Sequence, residues 1–179
     1  MKPLSIILLL TTLALNGCGA QEEAGETPQA PAMALHTAAA LGNVDAVRQH
    51  IAAGTDLNAK DAYGSTPLGV ACTFGKTEVA RALIDAGADH AIANSDGATP
   101  LHIAAFLCYP DIVGALLTAG ADREALNNGG ATALASVAGP FEDVKPIYDA
   151  IGQGLAPLGL VLDYDHIRAT RPRIAEMLR

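Results

Sequence analysis

The chain has 179 residues and a net charge of −8; half its residues are hydrophobic, but only 4% are aromatic and none is Trp. With a pI near 4.9 it lacks the clustered Lys and Arg that nucleic-acid phosphates require. A mean hydropathy of +0.27 excludes both a charge-driven disordered chain and a polytopic membrane protein. Thirty-six alanines supply much of the apolar content, which points to closely packed helices rather than one deep core of bulky side chains. Three cysteines are too few and too scattered for a disulfide scaffold or a zinc site.

Taken in chain order, the first element is Met1–Ala20, with basic Lys2 ahead of an apolar run from Leu4 to Leu15. The run is too short to cross a bilayer as a stable helix but suits the apolar core of a secretory signal. Leu15-Asn16-Gly17-Cys18 resembles the lipobox of bacterial lipoproteins. That resemblance implies removal of residues 1–17, a diacylglycerol on the Cys18 thiol, and a protein held at a membrane of the bacterial cell envelope, facing the periplasm. Ordinary signal cleavage after Ala20 is the alternative, and it would leave a soluble periplasmic or secreted protein. Residues 18–31 then form the lipid-bearing Cys and a tether. Gly19–Pro31 is acidic, rich in Gly and Pro and without apolar periodicity, so it is expected to span roughly 20 Å as a coil.

The remainder, residues 32–179, carries an internal repeat. Thr66-Pro67-Leu68 recurs as Thr99-Pro100-Leu101 and then as Thr132-Ala133-Leu134, each step being 33 residues; Ala86-Gly87-Ala88-Asp89 recurs as Ala119-Gly120-Ala121-Asp122. Segments 63–95 and 96–128 are identical at 12 of 33 positions. Thr99 suits a helix N-cap and Pro100 the first helical position, where a missing N–H costs nothing. Ile112, Val113, Leu116 and Leu117 give a second helix its apolar face, and Gly120 follows as a helix stop. Neither helix pair can bury both of its faces alone, so adjacent units must cover each other.

This pattern resembles the ankyrin repeat. The resemblance implies an all-α repeat solenoid of about four units, each a helix-turn-helix with a β-turn finger, in segments of about 34–62, 63–95, 96–128 and 129–152. Residues 153–179 read as a degenerate helical cap, in which Pro172, Ile174, Ala175 and Leu178 echo Pro110, Ile112, Val113 and Leu116. His36 and His102 fall on the family's TPLH position, which implies a structural role in bonding neighbouring loop backbone. Cys72 and Cys108 read as a small core residue and as a substitute for the usual Gly after a first helix.

No catalytic set, metal ligands or cofactor motif emerges from the spacing. Asp163, Asp165, His166 and Arg168 are strung too closely for an active site and read instead as helix-capping and solvating groups. Ankyrin proteins bind other proteins through finger tips and the inner face of the first helices. Carried over residue by residue, this gives a partner site of Phe74, Phe106 and Leu107, rimmed by Lys60, Tyr63, Ser65, Asp96 and Leu126. The alternative for Phe74 and Leu107, aligned in adjacent units, is a packing ladder. The sequence therefore predicts a monomeric, non-catalytic protein-binding module that takes no cofactor, touches no nucleic acid and meets the membrane through its N-terminal lipid. It would act either as an adaptor or scaffold, or as an inhibitor or immunity-type protein blocking an envelope enzyme.

Overall fold

A computed structural model describes residues 29–179; the expected signal segment, Cys18 and most of the tether lie outside the described residues. Six short helices come in three pairs: α1 (Leu35–Leu41) and α2 (Val44–Ala52), α3 (Pro67–Thr73) and α4 (Thr77–Asp85), α5 (Pro100–Phe106) and α6 (Pro110–Thr118). Local chemistry sets their limits. Pro67, Pro100 and Pro110 each open a helix, and the Thr66 hydroxyl caps α3 by accepting from the Gly69 N–H at 3.2 Å. The bend after each first helix needs a left-handed residue. Gly42 and Gly75 supply it, and in the third pair Cys108 does so at φ 60°, the one non-glycine with positive φ among the described residues.

Like helices stack on like. α1 packs on α3, α3 on α5, and α5 on α7 (Ala135–Ala138), giving a row of first helices; α2 packs on α4 and α4 on α6, giving a row of second helices. The first row is joined by small side chains, with Ala38, Ala71 and Ala104 fully buried one period apart. Alanine leaves no bulk to separate the helix axes, so neighbouring units approach closely. The second row is joined by larger side chains at matching positions, Val79 and Leu83 on α4 and Ile112 and Leu116 on α6, all buried.

The fourth unit is split. Two long helices follow α7: α8 (Phe141–Leu155), with a 3-10 turn at Ala156–Leu158, and α9 (Tyr164–Leu178). It is α9 that packs on α6 and α7, although α8 comes first and occupies the segment where a second helix is due at one period. Pro172, Ile174, Ala175 and Leu178 take the positions of Pro110, Ile112, Val113 and Leu116 at a spacing of 62 residues, 29 more than the period. Ile174, Ala175 and Leu178 are buried there. Those 29 extra residues interrupt the period, and α8 is their main element. Asp163 caps α9 by accepting from the N–H groups of Asp165 and His166, and Arg168 pairs with Asp165 and Glu142.

The expected β-turn fingers are not formed: among the described residues there is no strand and no β-bridge. The loops between units close on themselves instead. The carboxylate of Asp61 accepts from the N–H of Tyr63 and of Ser65, both at 2.8 Å, and Asn94 and Asn127 do the same one and two periods later. Adjacent loops then share one backbone bond each, Ser95 N–H to Tyr63 C=O at 3.1 Å and Asn128 N–H to Asp96 C=O at 3.0 Å. A sheet needs a run of such bonds between paired strands, and a loop whose donors are captured by its own Asx side chain has too few left.

Two glycines of these loops make a controlled comparison. Gly97 and Gly130 share a φ of 72°, but a Cβ on Gly97 would lie 2.4 Å from Oδ1 of Asn128 and 2.7 Å from its backbone nitrogen, whereas Gly130 faces open space. Gly130→Ala should cost about 1 kcal/mol, the strain of a left-handed residue. Gly97→Ala adds the clash and should cost about 2–3 kcal/mol. Denaturant unfolding of the two variants checks this; equal losses would mean the next unit's loop gives way freely.

Candidate partner-binding groove

This extra segment changes the face on which a partner is expected. The first-helix row does not look out on open solvent along its whole length, because α8 lies against its far end. α8 has an apolar stripe, Val144, Ile147, Tyr148, Ile151 and Leu155, at helical spacing, and Tyr148 is the largest fully buried side chain described. Its ring stacks on Phe106 with centroids 4.3 Å apart and planes 9° from parallel, and Phe141 stacks behind it at 5.7 Å. Its hydroxyl donates to the Phe106 carbonyl and accepts from Arg171 at 3.2 Å. Arg171, only 4% exposed, also donates to the Gly139 carbonyl at 3.0 Å. One guanidinium thus joins α9, α8 and the loop before α8, and burial pushes the Tyr148 hydroxyl up to about 12.

A second set of contacts fixes the outer side of α8. Lys145 and Asp149 form an ion pair at 2.9 Å, and the Tyr164 hydroxyl donates to Asp149 at 2.8 Å. Those two hydrogen bonds hold the Asp149 carboxyl below its ordinary range, and the same carboxylate holds the Lys145 ammonium above its own. Arg168 lies over the Phe141 ring at 4.5 Å.

Between α8 and the first-helix row runs a groove of about 920 Å³. One wall is α8 and the turn after it, through Val144, Ile147, Ile151, Leu155 and Leu158. The other wall is the inner side of α1, α3 and α5, through Ala40, Leu41, Val70, Phe74, Ile103 and Phe106. The loops close the third side with Asp61, Tyr63, Ser65, Asn94 and Asp96. Six large apolar or aromatic side chains stand out as exposed among the described residues; four of them, Leu41, Tyr63, Ile147 and Leu158, line this groove. Exposed apolar surface gathered in one place marks an interaction site, where the same residues scattered singly would not.

The residues singled out from the sequence divide into three groups. Tyr63, at 75% exposed, Ser65, Phe74 and Asp96 line the groove and are open to an occupant. Phe106 and Leu107 line it too, but the Phe106 ring is stacked under Tyr148 and Leu107 is only 4% exposed, so both serve the packing at its floor. Lys60 and Leu126 stand off the groove: the Lys60 ammonium donates to the Ala93 carbonyl at 2.8 Å, one unit away, and Leu126 points to solvent. His36 and His102 each place Nε2 3.1 Å from a carbonyl 29 residues on, Ser65 and Ala131. The Thr99 N–H reaches Nδ1 of His102 at 3.3 Å, which assigns the proton of that ring to Nε2. Sequence reasoning missed the α8 wall altogether; the signal that could have found it is the 62-residue step from Pro110 to Pro172.

Among the described residues no three His, Cys, Asp or Glu side chains come together as a metal group, and Cys72 and Cys108 are free and buried. Burial raises both thiols, Cys108 to about 11, the opposite direction from the lowered thiol of an activated cysteine. No helix described is long and apolar enough to cross a membrane. Comparison with curated proteins gives no match. The family model of ankyrin repeats in three copies matches residues 35–127, which is α1 to the loop beyond α6 and stops short of the split unit. Matched over more than half its length, with its helix pairs stacked at the period of the repeat, the chain belongs to the ankyrin-repeat family.

Proposed function

We propose that this protein is a non-catalytic binding module that captures a segment of one partner protein in the groove between α8 and the first-helix row. The observation that carries the reading is the gathering of exposed Leu41, Tyr63, Ile147 and Leu158 around that groove. A trough walled on both sides takes one segment at a time, which favours one-to-one capture, as by an inhibitor or immunity-type protein, over a scaffold that joins several partners. In this reading Phe74 and Tyr63 are the aromatic anchors, with Asp96 and Ser65 at the rim. The lipobox-like Leu15-Asn16-Gly17-Cys18 supports a lipid anchor at Cys18 and a place in the bacterial cell envelope, where the target would be an envelope enzyme.

Crosslinking and pull-down from native envelope tests the reading. Ile147→Asp together with Phe74→Ala should lower capture of the partner at least about tenfold, since each removes an anchor worth about 1–2 kcal/mol, while helical content stays unchanged. Capture that survives the double variant places the partner elsewhere on the molecule. An inhibitor abolishes its partner's activity on binding, whereas an adaptor leaves it intact. Cys18→Ala should move the protein from the membrane to the soluble fraction; unchanged fractionation would remove the lipid anchor from the proposal.

A further inference from the structure

We infer that the occupant of this groove is an amphipathic helix with a Lys- or Arg-rich polar face; this rests on the groove being the binding site. The two sides of the trough differ in chemistry. The α8 wall is apolar over about three turns, while the loop side carries the carboxylates of Asp61 and Asp96. No Lys or Arg lines the groove. Neither carboxylate has an ion-pair partner among the described residues, and Lys60, the basic side chain of the same loops, is bound to the Ala93 carbonyl. A ligand that filled the trough with apolar groups and brought no cation would leave two carboxylates at its edge partly desolvated without a counter-charge, Asp61 met only by the N–H groups of its own loop.

The secondary structure of the occupant follows from backbone hydrogen bonding. An extended peptide binds well where an exposed sheet edge can pair with it. The described residues contain no strand, and the loop N–H groups facing the trough are captured by Asp61, Asn94 and Asn127. An extended segment laid against Ile147, Ile151 and Phe74 would find no ladder of backbone partners there and would depend on water and scattered side chains for its N–H and C=O groups. A helix satisfies its backbone internally and offers an apolar stripe to α8 and the first-helix row, while its other face meets Asp61 and Asp96.

The test uses the full chain and two synthetic peptides of equal length with the same Leu stripe, one with Lys and one with Glu at all polar positions. Titration calorimetry should show the Lys peptide binding about tenfold more tightly than the Glu peptide, because Lys pairs with Asp61 and Asp96 where Glu is repelled by them. Asp61→Asn with Asp96→Asn should remove most of that preference. Asn already performs the loop role at positions 94 and 127, so Asp61→Asn preserves the loop while removing its charge. Glu78→Gln with Asp85→Asn, an equal loss of charge on α4 away from the groove, should change the preference less than about twofold.

Equal binding of the two peptides, tighter binding of the Glu peptide, or an equal effect from the α4 pair would overturn the inference, the last because it would reveal only general attraction to an acidic chain. If neither peptide binds while capture of the native partner still depends on Ile147, the helix chemistry falls and the groove reading stands. If neither binds and capture is indifferent to Ile147→Asp, both fall.

Discussion

Tyr148→Ala is expected to lower stability by about 3–5 kcal/mol, the range for deleting a buried aromatic side chain, and to free α8 from the stack. The ring is fully buried between Phe106 and Phe141, and its loss removes the contact that binds α8 to the third unit. It also leaves Arg171, buried and without a carboxylate partner among the described residues, with the Gly139 carbonyl as its one remaining acceptor. Tyr148→Phe separates the two contributions. It keeps the stacked ring but takes from the buried guanidinium one of its two acceptors and leaves the Phe106 carbonyl only the weak Cys108 thiol donor, at a cost of about 1–3 kcal/mol. Denaturant unfolding measures both losses, and limited proteolysis between residues 141 and 158 reports release of α8. A Tyr148→Ala protein that loses less than about 1 kcal/mol and keeps α8 protected would show that α8 is held from its outer side, through Lys145, Asp149 and Tyr164.

Ile112→Ala is the second large effect expected, about 2–5 kcal/mol. Ile112 is the central rung of the second-helix row, fully buried between the positions of Val79 and Ile174. In a stack each unit is stabilised by its neighbours, so a cavity on α6 loosens α4 on one side and α9 on the other. The unfolding transition should broaden as well as shift, because the first two units keep their own interface while the third weakens. Ile174→Ala makes a comparable cavity at the end of the row, where only one neighbour depends on it. It should leave amide exchange protection in α3 and α4 intact, whereas Ile112→Ala should lower it there. Equal exchange profiles for the two variants would mean that the units unfold as a single block.

The legible parts of this fold are those set by residues close together in the chain. Thr66-Pro67 and Thr99-Pro100 mark helix starts because the hydroxyl and the missing N–H act within one turn. The recurrence of Leu83 and Leu116 one period apart marks a shared rung because stacked units present identical positions to each other. The partner face was legible only in part. Tyr63, Phe74, Ser65 and Asp96 reach the groove because their place in the unit sets their direction. Phe106 is covered and Lys60 is drawn away by neighbours that the local sequence does not announce, Tyr148 from 42 residues downstream and the Ala93 carbonyl from the next loop. The finger was misread because the residues that would pair as strands are the ones whose N–H groups Asp61, Asn94 and Asn127 capture.

The sequence by itself determined the period, the helix limits and the row of small side chains that lets the units stack, all consequences of local capping and of a pattern repeated every 33 residues. Only the tertiary structure decided which helix completes the fourth unit. α8 and α9 are both 15 residues long and both amphipathic, so periodicity gives each a buried face without saying against what. The choice is made by fit at the end of the second-helix row. There Ile174, Ala175 and Leu178 continue the rungs of α6, while Tyr148 of α8 finds its ring partner on Phe106. The longer-range contact turns an end cap into a wall, and with it an open face into a groove.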